Sequence, residues 1–204
     1  MHRVVLLTLI ASLHHPAAVF QRPNVHTWTR QVLPLYTPLS HQRTSLPVLE
    51  RHGSFLRVLL PGRQNGHTGW IRADKAKVWK TPWRIVVKTR SKRLFALHKG
   101  RIVRSFPVVV GKPSTPTPHG RFYVEEAIIL PSRSPGAPDA YALSARSNVY
   151  QEFDGGPGQV AIHGTYGIGG TPGRAESHGC IRASTSTLNW LIARMGTGTP
   201  VDIR

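Results

Sequence analysis

Glu176-Ser177-His178-Gly179-Cys180-Ile181-Arg182 holds the single cysteine of a 204-residue chain, and the reading of that thiol decides what kind of domain surrounds it. With no second cysteine an intramolecular disulfide is impossible, so the sulfur is either inert or reactive. An inert cysteine packs as a small hydrophobe among Val, Leu and Ile. Cys180 instead follows Ser, His and Gly, the surroundings of a nucleophile. Gly179 lets the backbone take a strained turn, from which the amides of 179 and 180 can point at a developing oxyanion. A thiol with the usual pKa of about 8.5 is mostly protonated at neutral pH, so it needs an imidazole within hydrogen-bond reach. His178 is two residues away. His163, which ends the apolar run Gln159–His163, arrives from another segment and is free to be placed opposite the sulfur.

The sequence around these residues reads as strands. Trp83–Thr89, Arg93–His98 and Arg101–Val110 are short apolar-rich runs separated by polar or Lys-Gly turns, and Arg121–Leu130 is a fourth. Between them, residues 111–120 carry three prolines, which excludes helix and leaves few ladder donors. A polar Pro/Ser/Gly loop follows to about Asp139. After the cysteine, Leu188, Leu191, Ile192 and Met195 fall at i, i+3, i+4 and i+7, predicting a helix capped by Thr185 and stopped by Gly196. Pro200–Ile203 closes the unit as a strand.

Towards the N-terminus, Gly53–Leu60 and Thr68–Ile71 predict two strands around a turn-rich loop with an Asn65-Gly66 signal. Thr81-Pro82 is the expected joint between this unit and the next. Met1–Arg3 is a short basic start, Val4–Leu13 is mostly apolar, and small residues follow to Val19. That outline predicts a signal peptide over residues 1–22, too short for the roughly 20 apolar residues of a membrane span.

Charge narrows the partners. There are 27 Lys+Arg against 9 Asp+Glu, a net +18, which favours an anionic polymer or surface. From Arg72 to Arg104 twelve residues are basic and one, Asp74, is acidic. No helix-turn-helix, zinc-finger or RNA-binding aromatic motif accompanies them, so nucleic acid is not expected as a partner.

Taken together, His163-Gly164-Thr165 and Ser177-His178-Gly179-Cys180-Ile181-Arg182 resemble the signature of the L,D-transpeptidase catalytic domain family, cysteine enzymes that cross-link peptidoglycan. The loop from Val110 to Phe122 is similar to that family's Thr-Pro-x-Gly-x-Phe segment, so the resemblance spans roughly residues 83–204. Arg182 stands where many members carry asparagine. The strand, loop and Gly69-Trp70-Ile71 pattern, in a unit running from about Thr27 to Lys80, resembles the bacterial src-homology-3-type barrels often joined to cell-wall enzymes.

The resemblance implies a mainly β fold: after the leader expected at 1–22, a small N-terminal β-barrel at 23–81 and a β-rich catalytic domain with a C-terminal helix at 82–204. It also implies two-step acyl transfer through a cysteinyl thioester. Cys180 is then the nucleophile and His163 the base, with the Gly164 carbonyl orienting the imidazole. Gly179, His178 and Ser177 shape the site and its oxyanion hole, and Arg182 and Tyr166 hold substrate. The expected partners are peptidoglycan stem peptides and anionic wall polymers, in the cell wall, periplasm or exterior; no cofactor or metal is called for. Two other chemistries use the same residues: an L,D-carboxypeptidase or cysteine peptidase, in which water resolves the thioester, and a zinc site on His163, His178 and Cys180. A catalytically silent wall-binding protein is the non-enzymatic alternative. Since every motif residue lies beyond Thr81, a piece starting there is expected to keep the thiol chemistry.

Overall fold

The computed structural model describes residues 7–152 and 156–204. Two β-rich halves are built on separate hydrophobic cores. The N-terminal half is a seven-stranded antiparallel sheet. Its strands are β1 (Thr8–Leu13), β2 (Ala17–Phe20), β3 (Trp28–Leu33), β4 (Ser45–His52), β5 (Phe55–Leu59), β6 (Thr68–Arg72) and β7 (Ala76–Thr81). They lie in the order β3-β2-β6-β5-β4-β1-β7. The expected pair of strands around Asn65-Gly66 is β5 and β6, joined in register from Phe55↔Arg72 to Leu59↔Thr68.

The stretch expected as a leader has another role here. From Thr8 onward it forms β1 and β2, and β1 is paired on both sides, with β4 and β7. Ala11, Leu13, Ala17 and Val19 are core residues of this half, so a cut after residue 22 would remove two strands. The run looked like a leader because a buried strand and a leader's apolar segment share the same composition. The basic start Met1–Arg3 lies outside the described residues. Among the described residues, no helix is long and apolar enough to cross a membrane.

The second half contains β8 (Trp83–Lys88), β9 (Arg93–His98), β10 (Arg101–Pro107), β11 (Val110–Gly111), β12 (Gly120–Ile129) and β13 (Asp139–Arg146). Then come β14 (Gln159–His163), β15 (Ala175–Ser177), β16 (Ile181–Arg182), helix α1 (Thr185–Ile192) and β17 (Pro200–Ile203). Eight of these strands make one sheet in the order β10-β9-β8-β17-β12-β13-β14-β16, and β11 pairs with β15 alongside. The helix begins one residue earlier than its sequence suggests: Ser184, not Thr185, is the cap, its Oγ accepting from Thr187 N–H. It also stops short of Gly196, at Ala193. Leu188 and Leu191 still point into the core of this second half, and Met195 joins them from the following turn.

Strand β12 is shared by the two cores. Alternate side chains of a strand point to opposite faces, and here Phe122 and Val124 enter the core of the second half while Tyr123 enters the N-terminal one. Further along the strand, the buried Glu126 carboxylate accepts the backbone N–H groups of Leu39 (3.1 Å) and Ser40 (2.7 Å) and the Ser40 hydroxyl (2.8 Å). Gln42 pairs with both backbone groups of Ala127. The halves are thus joined by apolar packing and by satisfied buried polar groups.

Candidate active site

The site forms where β14 and β16 run side by side. Their parallel register pairs Ile162 with Ile181 and His163 with Arg182, which sets Cys180, the residue before β16, beside Ala161. Two segments distant in sequence are thereby fixed with thiol and imidazole at one sheet end. Both line a cavity of about 240 Å³, together with Ser147, Tyr150, Gly158, His178 and Arg182 among others.

The Ser-His-Gly-Cys turn is held from inside and from below. Ser177 is fully buried, and its hydroxyl donates to the Cys180 carbonyl and accepts the Gly179 N–H (3.2 Å). From below, the proline-rich loop contributes two threonines: Thr117 Oγ1 donates to the Gly179 carbonyl (2.9 Å) and Thr115 Oγ1 to the Ser177 carbonyl (3.3 Å). Thr117 Oγ1 also accepts the Gly111 N–H (2.9 Å). Gly179 sits at φ +122°, a conformation L side chains rarely adopt, so the turn requires glycine. One expectation is corrected here: the Gly179 amide is engaged by Ser177, so of the two amides read as oxyanion donors it is not the free one.

His163 has a defined tautomer. Its Nδ1 lies 2.8 Å from the Gly164 carbonyl oxygen; a carbonyl can only accept, so Nδ1 carries the proton and the Nε2 lone pair is left as base. Burial pushes the imidazole pKa below its ordinary value, the Gly164 carbonyl opposes this, and the Arg182 charge adds to it. Burial pushes the Cys180 thiol up, against a hydrogen bond from the Ala161 backbone and the Arg182 charge. The two main effects run in the same chemical direction. Each disfavours the charged form, so the resting pair is a neutral thiol and a neutral imidazole.

The remaining expected residues are placed as follows. His178 is exposed, with Nε2 3.4 Å from Lys112 Nζ and its ring 6.2 Å from that of Tyr150. That cationic neighbour is wrong for a zinc ligand, and no group of three or more His, Cys, Asp or Glu among the described residues is arranged to hold a metal. Arg182 lines the cavity, but its Nη1 donates to the carbonyls of Ile168 (3.1 Å) and Gly169 (3.3 Å), and its buried Nε has no hydrogen-bond partner among the described residues. It braces the loop after His163. Tyr166, expected at the substrate, is 54% exposed and outside the cavity lining.

Gly136 was not singled out by its sequence. Its carbonyl accepts the Gly164 N–H (2.7 Å) and its N–H donates to Tyr166 O (2.8 Å), so the 134–137 turn grips the backbone that carries His163. A Cβ at Gly136 would lie 2.8 Å from His163 Nδ1, at φ +85°. Gly136→Ala is therefore expected to shift the imidazole and lower kcat/KM by about 100-fold, since misplacement of a reacting group by about 1 Å carries a loss of that order. Steady-state kinetics with a melting curve as control checks this.

Comparison with known proteins gives the family. Residues 82–203 match the model of the YkuD family, described as the L,D-transpeptidase catalytic domain. The chain belongs to that family. It is 26% identical over 204 aligned residues to L,D-transpeptidase 1 of Mycobacterium tuberculosis, covering 84% of this chain and 77% of that protein. It is 35% identical over 123 residues to YkuD of Bacillus subtilis, a protein classed with the L,D-transpeptidases, covering 60% of this chain and 66% of the relative. Among solved structures it is similar to an L,D-transpeptidase, LdtMt1, in complex with imipenem: 21% identity and a TM-score of 0.46 over 96% of this chain and 82% of that one. The family's members are acyltransferases with a cysteine nucleophile.

Proposed function

We propose that this YkuD-family chain is an L,D-transpeptidase acting on peptidoglycan tetrapeptide stems, with Cys180 as nucleophile and His163 as base. The observation that carries the roles is the Nδ1–H bond to Gly164, which leaves Nε2 unprotonated in the same cavity as the only sulfur nucleophile. Cys180 Sγ attacks the carbonyl of the third stem residue as its proton passes to His163 Nε2. The tetrahedral oxyanion is met by the Cys180 amide, the Gly179 amide being held by Ser177. Collapse breaks the amide bond, His163 returns the proton to the departing D-alanine amine, and a thioester remains. An acceptor amine, deprotonated by the same imidazole, attacks the thioester and restores the thiol.

Action outside the cytoplasm follows from the substrate, and the +18 charge suits anionic wall polymers. The src-homology-3-type reading of the N-terminal sheet rests on the β5–β6 pair and on Gly69-Trp70-Ile71. The deciding experiment is incubation of the purified chain with a disaccharide tetrapeptide, followed by mass analysis. Cross-linked dimer with free D-alanine is the expected product. Tripeptide alone would reassign the chain as an L,D-carboxypeptidase, and unchanged substrate would overturn the reading.

A further inference from the structure

The cavity's outer wall is held by a side chain from the other half of the protein. After β13 the chain leaves the sheet and returns at β14, and Ser147, Tyr150 and Gly158 of this excursion line the cavity with Cys180. The two ends of the excursion meet: Ser147 N–H donates to the Gly158 carbonyl (2.8 Å), and the Ser147 hydroxyl accepts the N–H groups of Val149 and Tyr150. Arg63, from the loop between β5 and β6, spans the junction. Its Nη1 donates to the Ser147 carbonyl (3.0 Å) and its Nη2 to those of Tyr150 (3.0 Å), Gln151 (3.2 Å) and Pro157 (3.4 Å). Two residues on, Asn65 pairs with both backbone groups of Arg146, donating to its carbonyl (2.7 Å) and accepting its N–H (2.8 Å). Gly158 fits this junction because it has no Cβ: one would lie 2.2 Å from the Tyr150 carbonyl and 3.2 Å from Arg63 Nη2.

From this convergence we infer that the N-terminal half takes part in substrate binding, with Arg63 and Asn65 as positioning residues for the Ser147–Tyr150 wall of the thiol cavity. The inference rests on the transpeptidase reading for its substrate, not for its geometry. A planar guanidinium with several forked donors can serve four carbonyls together, whereas a lysine ammonium is a compact point charge. The thiol and imidazole stand on β14 and the 177–180 turn, outside this contact, so the effect belongs to binding rather than to proton transfer.

The test uses the full chain with Arg63→Ala, Arg63→Lys and Asn65→Ala, and with Arg57→Ala as a control on the same half. Three readouts are taken: KM and kcat on a tetrapeptide stem, the rate of Cys180 alkylation by iodoacetamide, and amide hydrogen exchange over residues 146–152. Arg63→Ala is expected to raise KM about tenfold, the size of one lost set of hydrogen bonds, with kcat and alkylation within about twofold of the parent. Exchange over 146–152 should quicken at least tenfold while that of β12 stays unchanged. Arg63→Lys should fall between, and Arg57→Ala should match the parent. Unchanged exchange over 146–152 in folded Arg63→Ala overturns the inference, even if the stem is not a substrate. A matched fall in kcat and alkylation rate, or a KM that does not move on a stem the parent turns over, overturns it as well.

Discussion

Cys180→Ala is expected to abolish product formation, and His163→Ala to lower kcat/KM by about 10³-fold, within the range for loss of a positioned general base. The first result follows because the chain has no second thiol. The second follows because a neutral thiol must lose its proton during attack, and Nε2 of His163 is the lone pair the Gly164 bond leaves for it. The same assignment fixes the pH profile. Burial lowers the imidazole pKa, so the base is neutral above that lowered value and becomes protonated as pH falls through it. The acid limb of kcat/KM should therefore lie below the ordinary histidine value of about 6.5. Burial raises the thiol, so the neutral pair persists to higher pH than a free cysteine would allow. Product assays by mass spectrometry across pH 4–9, with both variants, check these points; an acid limb above 6.5 would contradict the tautomer and burial argument.

The second large effect concerns residues 1–81. The sequence places every motif residue beyond Thr81 and so predicts that a piece starting there keeps its chemistry. The contacts between the halves change that expectation. Tyr123, 1% exposed, is packed in the N-terminal core; Glu126, also 1% exposed, takes three hydrogen bonds from residues 39–40; and Arg63 and Asn65 hold the cavity wall. Removing the N-terminal half uncovers Tyr123 at a cost of about 2–3 kcal/mol and leaves Glu126 to water. For a domain of this size that corresponds to a fall of roughly 5–15 °C in Tm. Calorimetry of the full chain and of a piece starting at Pro82 measures it, and equal melting temperatures would reduce the N-terminal half to a spacer.

The legible part of this protein was the place of its thiol cavity and its alternating strands. Cys180, Gly179 and His163 could be read because reactive residue types in small-residue turns stand out from core composition, and β8, β9 and β14 because their ends are marked by turns. Strand β13 was not read: Ala140–Arg146 is buried throughout, so it shows no polar alternation, and its small residues give little strand signal. Gly136, Arg63 and Asn65 were missed for another reason. Each acts on a backbone far away in sequence, and nothing local to a loop glycine or arginine marks such a partner. Asn65-Gly66 gave a turn signal, but the Asn65 side chain is committed to Arg146. The tautomer of His163 was likewise beyond sequence, since it depends on where the Gly164 carbonyl points.

Strand β17 lies between β8 and β12, paired in parallel with one (Val201↔Ile85) and antiparallel with the other (Phe122↔Val201). Without residues 200–203 the catalytic sheet is two separate ribbons, β8–β10 on one side and the site-bearing β12, β13, β14 and β16 on the other. Such non-local pairings slow folding, because the loop-closure entropy is lost before the contact is gained. The ribosome must therefore deliver residue 203 before the two ribbons can be sewn together, and until then the newborn enzyme carries its sulfur in an unfinished sheet.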